Sequence, residues 1–308
     1  MINKEEILRL FPEKLICEVK TYLEKSQVEE IRVKTNRPII ISTIKEEVVL
    51  DYIATEDDLK FMMAKISNYS LYAFEEQIKQ GYITLKGGHR VGLAGECVIT
   101  NGDISTIKNI TSLNIRVTRE IIGVSNKIMS KIISNGRVLN TLIISPPKCG
   151  KTTLLRDIAR NISNGMYRLD LKGKKVTIVD ERSEIAGSFN GIPQLNVGIR
   201  SDILDNCLKK TGMLMAIRSL SPEVLVCDEI GTYGEMEALQ VAFNSGVNII
   251  VTVHGFDIED IYSRRIFKEL IEQSILQRII VLSNKNGAGT VDKVYEVKRG
   301  GEMICLNM

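Results

Sequence analysis

From residue 138 to 283, five short apolar runs alternate with amphipathic helical stretches, and few architectures accept that order. The runs are "VLNTLIIS" (138–145), "KVTIVDE" (175–181), "EVLVCDE" (223–229), "NIIVTVH" (248–254) and "RIIVLS" (278–283). Helical periodicity is read at 151–163, 212–220, 235–245 and 258–272. Apolar strands separated by helices form right-handed crossover units, giving a mostly parallel sheet covered on both faces. "TVDKVYEV" and "EMICLN" follow without an intervening helix and predict a closing antiparallel hairpin.

Upstream of residue 121 the pattern is α+β. Helical periodicity at 3–24 precedes strands at "EEIRVK" and "PIIIS". Helices near 56–67 and 69–80 lead to the strands "GYITLK", "HRVGLAGECVI" and "LNIRVT". The expected organisation is a smaller α+β domain over 1–120 and an α/β domain over 121–308. A chain of 308 residues suits two domains, each with its own core.

Composition narrows the functional classes. Hydrophobic content of 44% and charged content of 26% are those of a soluble globular protein. The six cysteines form no CxxC pair and have no histidine at ligand spacing, which argues against zinc and against a disulfide framework. The charged start "MINKEEILRLF" lacks the apolar core of a signal peptide, and no apolar run reaches the ~20 residues of a membrane span. The expected location is the cytoplasm, with any membrane association made through partners.

The stretch "SPPKCGKTT" (145–153) joins the first strand of the series to its helix. The usual phosphate-loop pattern is G-x-x-x-x-G-K-[ST]; here the first position is Ser145, followed by Pro146, Pro147, Lys148, Cys149, Gly150, Lys151, Thr152 and Thr153. Pro146 forces extended geometry on Ser145, which a serine adopts without strain. The prolines offer no N–H, so a phosphate cradle must come from Lys148 to Thr152 at the helix start. Lys151 would reach the β- and γ-phosphates, and the Thr152 hydroxyl would ligate Mg²⁺. Cys149, beside two lysines and a helix N-terminus, is expected to react faster than a strand cysteine such as Cys227, to be the first of the six alkylated, and to be protected by Mg²⁺-ATP.

Three further strand ends carry polar groups. "VLVCDEIG" places Asp228 and Glu229 after a buried strand, where Asp228 would hold the metal and Glu229 polarise water. "VDERSEIAG" clusters Asp180, Glu181 and Glu184 around Arg182. "VTVHG" puts His254, one of two histidines, at the end of the next strand. A charged loop or a lone histidine is by itself an ordinary surface feature. Four strand ends on one edge of an α/β sheet, where such folds bind ligands, favour a site.

In order and spacing, "SPPKCGKTTLLRDIAR", "VDERSEIAG", "RSDILDNCLKKTGMLMAIRSLSPEVLVCDEIGT" and "VTVHG" resemble the stage III sporulation protein AA family of endospore-forming Firmicutes. That family is similar to the ATPases of type II and type IV secretion and pilus systems. "EEIRVKTNRPI", "GHRVGLAGE" and "LNIRVTREIIG" extend the resemblance toward the N-terminus. It implies a RecA-like ATPase domain with a phosphate loop, an aspartate box (Asp180, Glu181, Glu184), a Walker B strand (Asp228, Glu229) and a histidine box (His254). It also implies a homohexameric ring, with nucleotide near the domain junction and an adjacent subunit. Such a motor would work in the mother-cell cytosol on membrane proteins of the stage III channel complex joining mother cell and forespore. Ser145 and the Lys148–Cys149 pair depart from the commoner glycine, glutamine and threonine. Arginine fingers are expected of such motors; the candidates are Arg116, Arg119, Arg200 and Arg218, with the first two flanking the domain boundary.

Two other classes compete with a secretion-type motor. A RecA-like ATPase driven by nucleic acid is opposed by the net charge of +3 and by the lack of a basic stretch interleaved with aromatics. A scaffold that binds ATP without turnover is opposed by Glu229.

Overall fold

The computed structural model describes residues 4–68, 70, 74–285, 287 and 289–306. They form two compact units: Met1–Glu120 with Gly187–Gln194, and Ile121–Ala186 with Leu195–Met308. The division is discontinuous in sequence, because the chain leaves the second unit at Ala186 and re-enters it at Leu195.

The first unit is a six-stranded antiparallel sheet in the order Glu47–Ala54, Arg37–Thr43, Val28–Lys34, Asp103–Arg116, Arg90–Thr100, Tyr82–Thr84. Ile31, Val33, Ile39 and Ile41 share a core with Val19, Leu23, Leu59 and Met62 of the helices Glu13–Lys25 and Glu56–Ile66. The stretch read as one helix over 3–24 is two, Lys4–Leu8 and Glu13–Lys25. Pro12 caps the second and steers Phe11 away from helical geometry. Of the helix read at 69–80, the described part is Glu75–Lys79; residues 69 and 71–73 lie outside the described residues. The strand Glu47–Ala54 was not anticipated. It is an edge strand that buries only Leu50 and Ala54, so its apolar signal is diluted by Glu47 and Asp51.

The second unit is an eight-stranded sheet in the order Ser201–Asp205, Val176–Asp180, Val224–Cys227, Asn248–His254, Thr141–Ser145, Arg278–Ser283, Thr290–Val297, Met303–Leu306. The first six are parallel, and the last two close the sheet as the expected antiparallel hairpin. The strands 141–145, 176–180 and 224–227 are buried at every residue, which explains their unbroken apolar runs. Ser201–Asp205, also unanticipated, is the edge strand and has no buried residue. The helix read at 258–272 breaks at Arg264, which is extended while its guanidinium bonds Asp260 and the His254 carbonyl.

The helix Lys151–Asn164 is anchored from below by Asp157. Its buried carboxylate accepts from Gly123 N (3.0 Å), Ser125 N (2.8 Å) and Ser125 Oγ (2.7 Å), and pairs with Arg160 at 2.7 Å. Burial opposes ionisation, but these donors outweigh it and hold the carboxyl below its ordinary value. Its stabilisation is therefore present above the unfolded value near ~3.9 and is lost as pH falls toward the folded value. Asp157→Ala would take the acceptor from the Gly123 N–H and from the Ser125 N–H and hydroxyl and leave Arg160 with Asn161, and is expected to cost about 3 kcal/mol in urea unfolding at pH 7. A loss under about 0.5 kcal/mol would mean that the anchor is not needed.

Candidate active site

Ser145 ends its strand fully buried and in register with His254, and its hydroxyl donates to the Pro146 carbonyl at 2.8 Å. The loop then turns through two left-handed residues, Lys148 (φ 59°) and Gly150 (φ 75°). Gly150 caps the helix Lys151–Asn164 with no side-chain bond to the first N–H groups. The opening donors of a helix have no partner within it, so this terminus presents N–H groups and a partial positive charge. Among the described residues it is a cradle without an acceptor of its own.

The acids that face this cradle come from the next strand but one. Between the strands ending at Ser145 and Cys227 lies Asn248–His254. Lys151, buried at 7% exposure, reaches across to Glu229 Oε1 at 2.5 Å and Asp228 Oδ1 at 3.4 Å. Thr152 Oγ1 donates to Asp228 Oδ2 at 2.7 Å. Burial works against ionisation of Glu229, but Lys151, Arg182 and Lys209 together hold its carboxyl below the usual range.

Thr252, on the intervening strand, is the residue that sequence reading missed. Its hydroxyl donates to Asp228 Oδ1 and accepts the Glu229 N–H at 2.8 Å. It is fully buried, two residues before His254, and a threonine in "VTVHG" reads as ordinary β-branched strand filler. His254 itself points outward: its carbonyl accepts from Arg264 at 3.0 Å, and its ring stands edge-on to Phe256.

The aspartate cluster divides into separate duties. Asp180 is buried, and its carboxylate accepts the N–H groups of Glu184 (2.9 Å), Ile185 (3.0 Å) and Ala186 (2.8 Å). Arg156, from the phosphate-loop helix, grips the carbonyls of Glu184 (2.8 Å) and Ile185 (2.5 Å) in the same turn. Asp180 thus folds the turn that follows its own strand. Glu181 meets Lys209 at 3.4 Å, and Lys209 also donates to the Glu229 carbonyl at 2.7 Å.

Burial pushes the Asp180 carboxyl up to about 6, against the three N–H donors and with Asp205 adding to the rise. An unfolded aspartate titrates near ~3.9, so folding favours protonated Asp180. Its contribution is complete below about pH 4 and is lost as pH rises through about 6. Asp180→Asn removes this titration. The wild-type stability minus that of the variant is expected to fall by on the order of 2 kcal/mol between pH 4 and 7, measured by urea unfolding. A difference constant with pH would place the Asp180 titration at its unfolded value.

Cys149 corrects an expectation. It is buried at 3% exposure, and its carbonyl accepts from Gly289 N at 2.7 Å. The loop closes over the thiol instead of presenting it. Alkylation followed by peptide mapping should label Cys17, Cys97 and Cys305, which are exposed, before Cys149. Labelling of Cys149 first would mean that the loop opens faster than this packing implies.

The remaining candidates have these surroundings. Arg119 donates to Gln27 (3.2 Å) and the Val28 carbonyl (3.0 Å) within the first unit, where Arg116 ends a strand exposed. Arg200 precedes its strand at the amino edge of the parallel sheet, opposite the loop, and donates to the Ser163 carbonyl at 3.0 Å. Arg218 lines a shallow groove on its own helix with Leu214 and Met215.

Over residues 1–303 the sequence matches the family described as "Sporulation stage III, protein AA". The chain belongs to that family. It is 42% identical over 293 residues to the Stage III sporulation protein AA of Bacillus subtilis (strain 168), covering 94% of each chain. Among solved structures, it resembles the ATPase DotB of Yersinia pseudotuberculosis with a TM-score of 0.63 at 14% identity, covering 93% of this chain and 80% of that one. It also resembles the pilus retraction motor PilT with bound ADP, at a TM-score of 0.58 and 16% identity, over 86% and 76% of the two chains. The chain therefore shares the mixed α/β fold of these two structures, and its parallel sheet is the one the strand series predicts. No helix among the described residues is long and apolar enough to cross a membrane.

Proposed function

We propose that the chain hydrolyses ATP in a Mg²⁺-dependent reaction at the carboxyl edge of its parallel sheet. The observation that carries this reading is the convergence of Lys151 and Thr152, at an uncapped helix N-terminus, on Asp228 and Glu229. Without nucleotide, Lys151 and Thr152 are matched by carboxylates, the closest chemical stand-ins for phosphate oxygens in the chain. Hydroxyl and carboxylate oxygens are the hard donors Mg²⁺ prefers, and two of them with substrate oxygens and water suit it. Thr152 and Asp228 would hold the metal. Bound Mg²⁺-ATP supplies the electrophilic γ-phosphorus and neutralises charge gathering on its oxygens.

Lys151 has one ammonium for two kinds of anion. Moving it from Glu229 to phosphate frees that carboxylate to polarise an attacking water. Ser145 to Thr153 form the loop around the phosphates, with the N–H groups from Lys148 onward as donors. Glu181, Glu184 and His254 border the same sheet edge. Arg116 and Arg119 are the candidates to complete a neighbour's site in a homohexameric ring. The family membership and the fold support a motor that powers the mother cell–forespore channel complex from the cytosolic side, acting on its membrane proteins.

The test is ligand-linked stability. ATP with Mg²⁺ at a hundred times its dissociation constant should raise unfolding free energy by about 2.7 kcal/mol. Replacing Mg²⁺ with EDTA should remove most of that gain. Equal stabilisation with and without the metal would contradict the Thr152–Asp228 assignment.

A further inference from the structure

Lys209 opens the helix Lys209–Ser219, and its side chain is only 14% exposed. Its ammonium donates to the backbone carbonyl of Glu229 at 2.7 Å and stands 3.4 Å from the Glu181 carboxylate. The strands that precede those two acids, Val176–Asp180 and Val224–Cys227, are parallel neighbours. Lys209 therefore ties two adjacent strand ends together at the edge where the phosphate loop lies.

What it holds is a strained residue. Glu229 has a left-handed backbone, with φ of 50°. That conformation is strained for a non-glycine residue and persists only when surrounding groups over-determine it. Three contacts do so here. The N–H donates to Thr252 Oγ1 at 2.8 Å, the carboxylate meets Lys151 at 2.5 Å, and the carbonyl meets Lys209. Once Lys151 turns to phosphate, the Ile230 N–H still bonds the Thr252 carbonyl at 2.9 Å, and of the three contacts at Glu229 itself the two backbone ones remain. Of these, the bond from the ammonium is charge-assisted and the stronger.

We propose that Lys209 is a positioning residue for hydrolysis, fixing the left-handed turn at Glu229 through its carbonyl, with Glu181 as the counter-ion of Lys209. The proposal rests on the reading of Glu229 as the group that polarises water. It assigns Glu181 a duty distinct from proton transfer. It also accounts for a lysine kept at low exposure beside the carboxylate that Lys151 pairs.

The experiment uses the full chain with Mg²⁺-ATP and two readouts, turnover and amide hydrogen exchange across residues 228–231. Lys209→Met should speed exchange of that turn at least ~10-fold. It should lower kcat by roughly 10- to 100-fold, as misplacement of a reacting group does, with KM within about threefold of wild type. Lys209→Arg should recover most of both. Lys209→Gln serves if the methionine variant does not fold, since it reaches the carbonyl without charge and should fall between the two. Unchanged exchange with unchanged kcat would overturn the proposal. A raised KM at constant kcat would also overturn it, making Lys209 a phosphate ligand. If Glu229→Gln turns over ATP like wild type while Lys209→Met still loosens the turn, the clamp stands and the role given to Glu229 falls.

Discussion

Glu229→Gln is expected to bind Mg²⁺-ATP almost as wild type does and to hydrolyse it roughly 100- to 1,000-fold more slowly. The amide keeps the shape and one acceptor oxygen but cannot take a proton from water, and general-base groups typically contribute 10²- to 10⁴-fold. The carboxyl is ionised at neutral pH, since Lys151, Arg182 and Lys209 outweigh its burial. Lys151 is the foremost of these three cations, so exchanging that contact for phosphate would remove part of what holds the carboxyl low. The comparison is steady-state phosphate release beside ATP-induced thermal stabilisation. Near wild-type release would move the role to another acid. Glu184→Gln is then the next variant to make, because Glu181 is already engaged with Lys209.

Lys151→Ala is expected to act twice. With ATP present it should abolish the ~2.7 kcal/mol of ligand stabilisation, because the cradle loses the cation assigned to the β- and γ-phosphates. Without ATP it should also destabilise the chain, by about 1 kcal/mol. Two carboxylates, Asp228 and Glu229, would then face each other's field with Lys151 gone. The figure is kept small because Glu229 is nearly half exposed and water screens it. Asp228→Asn and Glu229→Gln in the Lys151→Ala background should return the nucleotide-free stability while leaving ATP binding absent. If Lys151→Ala is stabilised by ATP as strongly as wild type, the loop does not hold the triphosphate.

Much of this fold was legible because fully buried parallel strands print unbroken apolar runs, and the helices between them keep a 3.6-residue period. Edge strands do not. Glu47–Ala54 and Ser201–Asp205 each pair on one side only and bury two residues and none, so their sequences read as loops. The site was legible where chemistry needs a particular side chain next to a particular turn. Gly150, Lys151 and Thr152 follow a strand, and Asp228 and Glu229 follow another. It was not legible where the contribution comes through hydrogen bonding across strands. Thr252 is a strand threonine by any local measure, yet the sheet order sets it between Asp228 and the Glu229 N–H. Lys209 lies twenty residues before Glu229 in the chain, and only the pairing of two strand ends brings its ammonium to that carbonyl. Asp180 has a contribution of the same kind, since three backbone N–H groups of the following turn bond its carboxylate and no local pattern announces it. Cys149 fails as a reactive thiol for a related reason, since sequence places it beside lysines and packing buries its sulfur.

Phosphate release from Mg²⁺-ATP by the purified full chain, with Lys151→Ala prepared in parallel as the blank, tests the central claim most directly. Turnover that exceeds the blank at least tenfold and vanishes with EDTA is the predicted result. Specific activity should also climb with protein concentration before levelling, as a site completed by a neighbouring subunit requires. Release no greater than that of Lys151→Ala across the whole concentration range would contradict the account.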